Sequence, residues 1–161
     1  MKGGNDTNIT IQKKEAFKVA GINVKNIEPS SCPEVWNELF SKYSPEKLEK
    51  LGNCQSYGIC HDMKNTKKIN YMACYDVKDI EKAEKMGLEI VEVGAAEYAV
   101  VELTGKIPDS IHAGWKYVFE VFFPEQGYRH SGKSDFEVYS EGDMYSETYK
   151  MELWVPIVKE L

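Results

Sequence analysis

Cysteine, histidine and positive charge are all scarce in this chain, and each scarcity excludes something. Four cysteines (Cys32, Cys54, Cys60, Cys74) and three histidines (His61, His112, His130) are scattered over 161 residues. No two cysteines form a CxxC pair, and only "CQSYGICH" offers a conceivable metal cluster. Zinc sites want four ligands at characteristic spacings, so no metal is expected, and free, mostly buried thiols in a reducing compartment are the better reading. The histidines have no acidic partner at motif spacing, and there is no GxSxG and no phosphate-cradling glycine loop. No cofactor is expected. Lys and Arg number 20 against 26 Asp and Glu, a formal net charge of −6, which argues against a generic nucleic-acid binder. No apolar run approaches the roughly 18–20 residues that span a bilayer, so no membrane partner is expected. The start, "MKGGNDTNIT", lacks the apolar core of a secretion signal, and its "KGG" reads as a linker or expression scar. Together these features suggest a cytoplasmic protein.

What remains is an ordinary globular composition, 42% hydrophobic and 29% charged, in a length that suits one domain, residues 1–161, with a real core. The chain repeats itself. Shifted by 79 residues without a gap, Pro29 falls on Pro108, Ser31 on Ser110, Trp36 on Trp115, Pro45 on Pro124, Glu46 on Glu125 and Met72 on Met151. Trp36, Leu39, Phe40 and Tyr43 follow the spacing of an amphipathic helix, and Trp115, Val118, Phe119 and Phe122 repeat it. Each helix is expected to start after a proline and a capping-type residue (Ser30 or Ser31; Asp109 or Ser110) and to end before the next proline.

Each half reads strand, helix, strand, strand, with repeat one over about 8–78 and repeat two over about 87–158. In the first half "AFKVAGINV" precedes a helix near 31–43, then "SYGICHD" and "INYMACYDV". In the second, "EYAVVELTG" precedes a helix near 110–123, then "DFEVYS" and "YKMELWVPI". The link "KDIEKAEKMGLEI" reads as a short helical turn closed by Gly87. The simplest assembly is α+β: a duplicated β-α-β-β module forming a pseudo-twofold antiparallel sheet of up to eight strands, with two long helices packed on it.

Two carboxylates stand inside strand-like segments, Glu137 between Phe136 and Val138 and Glu152 between Met151 and Leu153. Strand alternation assigns Phe136 and Val138, with Tyr57 and Ile59, to the helix-facing row. Glu137 and Tyr139 then share the opposite row with Glu152 and Trp154 and, through the repeat, with Tyr75, Gly58 and Ala73. Such a surface is an aromatic hollow with carboxylates, suited to flat or cationic guests. On a solvated sheet face the same residues need no ligand. Trp115, on the helix stripe, reads either as core or as a cover for the hollow.

"DFEVYSEGD" and "YKMELWVPI", with "GWKYVFEVFFPEQGY" before them, resemble the GyrI-like family of DNA gyrase inhibitory proteins and effector-binding domains of AraC-type and related multidrug-sensing regulators. The resemblance covers nearly the whole chain and implies a duplicated strand–helix–strand–strand fold. It also implies that Glu137 matches the acid with which family members meet cationic, aromatic drugs. In some relatives that acid serves a hydrolase opening cyclopropane rings. The expected function is therefore binding of an aromatic, cationic effector or drug between the repeats by Glu137, Glu152, Trp154, Tyr139, Tyr75 and Trp115, in transcription regulation or drug sequestration. One alternative is a hydrolase with Glu137 as general base. The other is a gyrase-inhibiting or other protein-interaction module, although the acids are dispersed among lysines rather than gathered into a DNA-like row. The two repeats leave no room for a helix-turn-helix, so no direct nucleic-acid contact is expected. If the protein has a fused or associated DNA-binding domain, it is expected outside these 161 residues, before "MKGG".

Overall fold

The computed structural model describes residues 7–61 and 68–160. The linker reading of "KGG" and the end of the third strand at Asp62 lie outside the described residues. The first half holds β1 (Ile9–Lys14), β2 (Phe17–Ile27), α1 (Cys32–Lys42), α2 (Pro45–Glu49), β3 (Ser56–His61), β4 (Ile69–Asp76) and α3 (Ile80–Lys85). The second holds β5 (Glu89–Val93), β6 (Ala96–Thr104), α4 (Asp109–Tyr117), α5 (Phe123–Gln126), β7 (Tyr128–His130), β8 (Asp135–Val138) and β9 (Lys150–Lys159). The strands pair antiparallel in the order β1-β6-β9-β8-β3-β4-β2-β5, with short β7 against β9. This is the expected α+β architecture: β2-α1-β3-β4 and β6-α4-β8-β9 meet at β3 and β8. No helix among the described residues is long and apolar enough to cross a membrane.

Two further strands complete the sheet by exchange. β1 precedes β2 but pairs with β6, and β5 precedes β6 but pairs with β2. Each half thus lends its leading strand to the other's sheet edge.

The helix ends depart from the proline and cap signals. α1 is entered through a 3₁₀ turn, Pro29–Ser31, and Ser31 makes no side-chain cap; α4 starts at Asp109 directly after Pro108, with Ser110 buried inside it. The second helix also runs past Pro124. A π-helical segment, Val118–Phe122, leads into α5, which stops at Gly127 with φ 75°. Pro124 follows immediately on this π-helical segment, a local departure from the α-helical hydrogen-bond ladder.

The gapless 79-residue repeat slips by one residue before its last strand. Gly58 lies opposite Ala73, whereas its repeat-mate Glu137 lies opposite Leu153. Ala73 therefore corresponds to Leu153, 80 residues on, and Trp154 to Cys74 rather than Tyr75. A one-residue slip moves every side chain of a strand to the other face.

Both faces of the sheet are buried over much of its area. On the helix side, α1 covers a core containing Leu39, Tyr71, Ala73 and Tyr75, and α4 covers another containing Val101, Val118, Met151 and Leu153. On the opposite side a third core joins the halves through Tyr57, Ile59, Met72, Tyr98 and Phe136. Phe136 sits at its centre, ringed by Phe17, Tyr57, Tyr98 and Trp154 at centroid distances of 5.2–5.6 Å. The row containing Phe136, Val138, Tyr57 and Ile59 is thus a back-face core. It is not the helix-facing row that alternation suggested.

Candidate functional site

The helix-side face has a seam where its two cores meet, and β3 and β8 form its floor. They pair with Tyr57 opposite Val138, Gly58 opposite Glu137 and Ile59 opposite Phe136. Under the repeat the first and last of these pairs exchange, so Gly58 and Glu137 face each other across the pseudo-twofold axis. Only one of the two positions can carry a side chain. A Cβ on Gly58 would come within 2.3 Å of the Tyr71 hydroxyl and 2.9 Å of Glu137 Oε1.

Above the seam opens a cavity of about 1320 Å³. Trp36 and Phe40 of α1, Trp115 of α4 and Phe119 of the π-helical segment line its walls, with Tyr71, Tyr75, Cys60, Asp135, Glu137 and Tyr139 below. Phe40 and Phe119 remain 41% and 52% exposed, and Met144 and Tyr145, from the segment between β8 and β9, add further apolar rim. Exposed large apolar groups gathered around one opening are typical of a binding cleft.

Hydrogen bonds converge on Glu137. Trp36 Nε1 donates to the Tyr71 hydroxyl at 2.8 Å, Tyr71 bonds Tyr139, and the Tyr139 hydroxyl donates to Glu137 Oε1. Burial pushes the Glu137 carboxyl up to about 7, the Tyr139 bond pulls it back, and the charge of Asp135 adds to the rise. Burial and the nearby Glu137 charge raise the hydroxyls of Tyr71 and Tyr139 well above the usual phenol range. Cys32, also at the cavity, is lifted to about 12 by burial and then by Glu137. Such a thiol is no nucleophile at neutral pH.

Asp135, two residues before Glu137 on the same strand face, is buried, and desolvation raises its carboxyl. It accepts from His130 Nε2 at 3.1 Å and from the Cys60 thiol. His130 therefore has an acidic partner five residues on, contrary to the sequence expectation. The tight β7–β8 connection, with Gly132 at φ 93°, brings the two together. Cys60 and His61 point to opposite sides: Cys60 lines the cavity, while His61 Nε2 lies 2.8 Å from Asn23 Oδ1.

Four of the six residues singled out from sequence line the cavity: Glu137, Tyr139, Tyr75 and Trp115. Glu152 and Trp154 do not. Trp154 stacks on Phe136 at 5.5 Å, meets Tyr98 edge-on at 5.4 Å, and donates from Nε1 to Glu152 Oε1 at 2.9 Å. Both belong to the back face because of the one-residue slip. Glu137 and Tyr139, conversely, face the helices. Sequence reasoning missed Tyr71, Cys60, Asp135 and His130, and placed Trp36 on a helix stripe without assigning it to the site. Asp135 was within reach, since it shares the parity of Glu137; His130 required knowledge of a turn.

Comparison with curated protein sequences finds no match. Among solved structures, the fold is similar to that of SAV2435 bound to tetraphenylphosphonium, with TM-score 0.78, 19% identity and 94% of each chain covered. It is similar to the EcmrR C-terminal domain, with TM-score 0.70, 17% identity, 96% of this chain and 99% of that one. It is also similar to a hydrolase encoded by lin2189 from Listeria innocua, with TM-score 0.61, 12% identity, 94% of this chain and 92% of that one. At these identities the likeness is one of fold. The family model of the GyrI-like small molecule binding domain matches residues 7–158, and the chain belongs to that family.

Proposed function

We propose that this domain binds an aromatic, cationic small molecule in the cleft between its two repeats, with Glu137 as the counter-charge. The observation that carries this reading is a half-buried carboxyl at the floor of a large aromatic-walled cavity. Trp36, Trp115, Phe40 and Phe119 offer faces for stacking and cation–π attraction, worth about 0.5–2 kcal/mol each. A poorly hydrated carboxylate gives a counter-charge stronger than one in water. The fold-relative SAV2435, bound to tetraphenylphosphonium, is consistent with a ligand of this class. By analogy with EcmrR, a fold-relative solved in complex with DNA, the binding event serves transcription regulation, or else simple sequestration of the compound.

A fluorescence titration with a rhodamine dye, on the wild type and on Glu137→Gln, tests this. Losing a poorly solvated charge pair costs on the order of 2–5 kcal/mol, so cation affinity should fall at least thirtyfold while a neutral analogue is little affected. Equal weakening of both would leave Glu137 a merely structural residue.

One pairing supports a hydrolytic second reading. A carboxyl near neutrality, hydrogen-bonded to a phenol, suits a general base acting on water. Product formation from a strained electrophilic substrate, lost in both Glu137→Gln and Tyr139→Phe, would favour it over binding alone.

A further inference from the structure

The cleft carries the same arrangement of groups twice, once on each wall. On one side Trp36 meets Tyr139 edge-on at 5.6 Å, and the Tyr139 hydroxyl donates to Glu137. On the other, Trp115 lies nearly parallel to His130 at 6.4 Å, and His130 Nε2 reaches Asp135 at 3.1 Å. The two tryptophans are repeat-mates. Tyr139 and His130 are not, so the second station was assembled from different parts of the chain.

The second station holds a fixed ring beside a buried carboxyl. His130 Nδ1 accepts from the Gly132 N–H at 3.0 Å, which leaves the ring proton on Nε2 to donate to Asp135. The Cys60 thiol and a backbone N–H also donate to Asp135, and of the roughly four lone-pair sites of a carboxylate one remains for a guest. Lys133 is the one Lys or Arg among the described cavity-lining residues, and its ammonium is drawn off to the Ala95 carbonyl at 3.3 Å. Asp135 and Glu137 share one strand face two residues apart, so their backbones lie about 7 Å from each other. Each raises the cost of charging the other. A ligand with a single cationic centre relieves only one of them.

We propose that the cleft is built for an elongated aromatic dication, one cationic end at Glu137 beside Trp36 and the other at Asp135 beside Trp115. This inference rests on the cation-binding reading above and narrows its ligand class.

Isothermal titration with benzene-1,4-bisamidine and with its singly charged isostere 4-carbamoylbenzamidine tests it. The wild type should prefer the dication by about tenfold or more, because the second contact forms within an already bound molecule. In Asp135→Asn that preference should shrink to about twofold or less; Glu137→Gln should weaken both ligands. Circular dichroism checks that Asp135→Asn folds, and should it not, the wild-type ratio decides alone. If the monoamidine binds and the dication gains nothing, this inference fails and the cation reading stands. If neither amidine binds, the cation reading falls and this inference with it.

Discussion

Gly58→Ala is the sharpest test of how the cleft floor is built, because it changes no charge and removes no atom. The added methyl would stand 2.3 Å from the Tyr71 hydroxyl and 2.9 Å from Glu137 Oε1. Glu137 can swing aside; Tyr71 cannot easily do so, being 1% exposed with its hydroxyl bonded to Trp36. Clearing the contact needs a shift of about 1 Å, enough to lose a 2.8 Å hydrogen bond. Overpacking of this kind costs about 1–3 kcal/mol, and the lost bond about 1 more. Relief of glycine's strand penalty returns roughly 0.5–1 kcal/mol, leaving a net destabilisation of about 1–3. At roughly 2–4 °C per kcal/mol for a domain of this size, calorimetry should show Tm lower by about 2–12 °C. Dye affinity should fall by about tenfold or more, since the pocket carboxylate is pushed out of line. Gly94→Ala is the control, because its added methyl meets nothing within 4 Å. A Gly58→Ala variant with wild-type melting and wild-type dye affinity would refute the close-packed floor.

Glu137 should also govern the pH dependence of stability. Its carboxyl is raised from 4.5 to about 7, so the folded state holds the proton more tightly than the unfolded one, and stability falls as pH rises between those values. The loss is of order 1–3 kcal/mol, the lower part favoured because the side chain keeps some access to the cavity. Urea midpoints should therefore show Glu137→Gln gaining on the wild type from pH 4.5 to pH 8, and parallel curves would contradict the buried carboxyl. Cation affinity of the wild type should rise over the same interval, as ionised Glu137 becomes available, and a flat dye Kd would argue against it. Trp154→Ala should lower stability by roughly 2–4 kcal/mol through the back-face core yet leave dye affinity intact; a lost affinity would return that ring to the cleft. Tyr71→Phe should cost about 1–3 kcal/mol by stranding the Trp36 N–H, with dye binding weakened a fewfold, and an unchanged melt would show the chain of bonds to be unimportant.

The architecture was legible because duplication doubles every signal: two tryptophan-led helical stripes and two closing strand pairs pointed to one module used twice. The edge strands were less visible, since the pairings of β1 and β5 are set by strands far away in sequence. The site was half legible. Glu137, Tyr139 and Tyr75 were grouped correctly, but on the wrong face and in company with Glu152 and Trp154. The error has one physical origin. A gapless alignment hides a single extra residue between β8 and β9, and strand periodicity turns that residue into an exchange of faces. Amphipathic logic could not repair it, because Phe136 and Leu153 are buried on opposite faces of one sheet.

The position of Glu137 on the pseudo-axis has a consequence for how such a floor can arise at all. Two identical modules paired as a homodimer would place the same residue on both sides of the axis. Two glycines would leave the centre without charge. Two glutamates would force like carboxylates against each other in a space where one added methyl already overlaps its neighbours. Covalent joining of the modules into one chain breaks that constraint, letting one copy supply the acid and the other the vacancy it needs. The lone central charge is thus a property available to the tandem form and closed to any symmetric dimer of its halves.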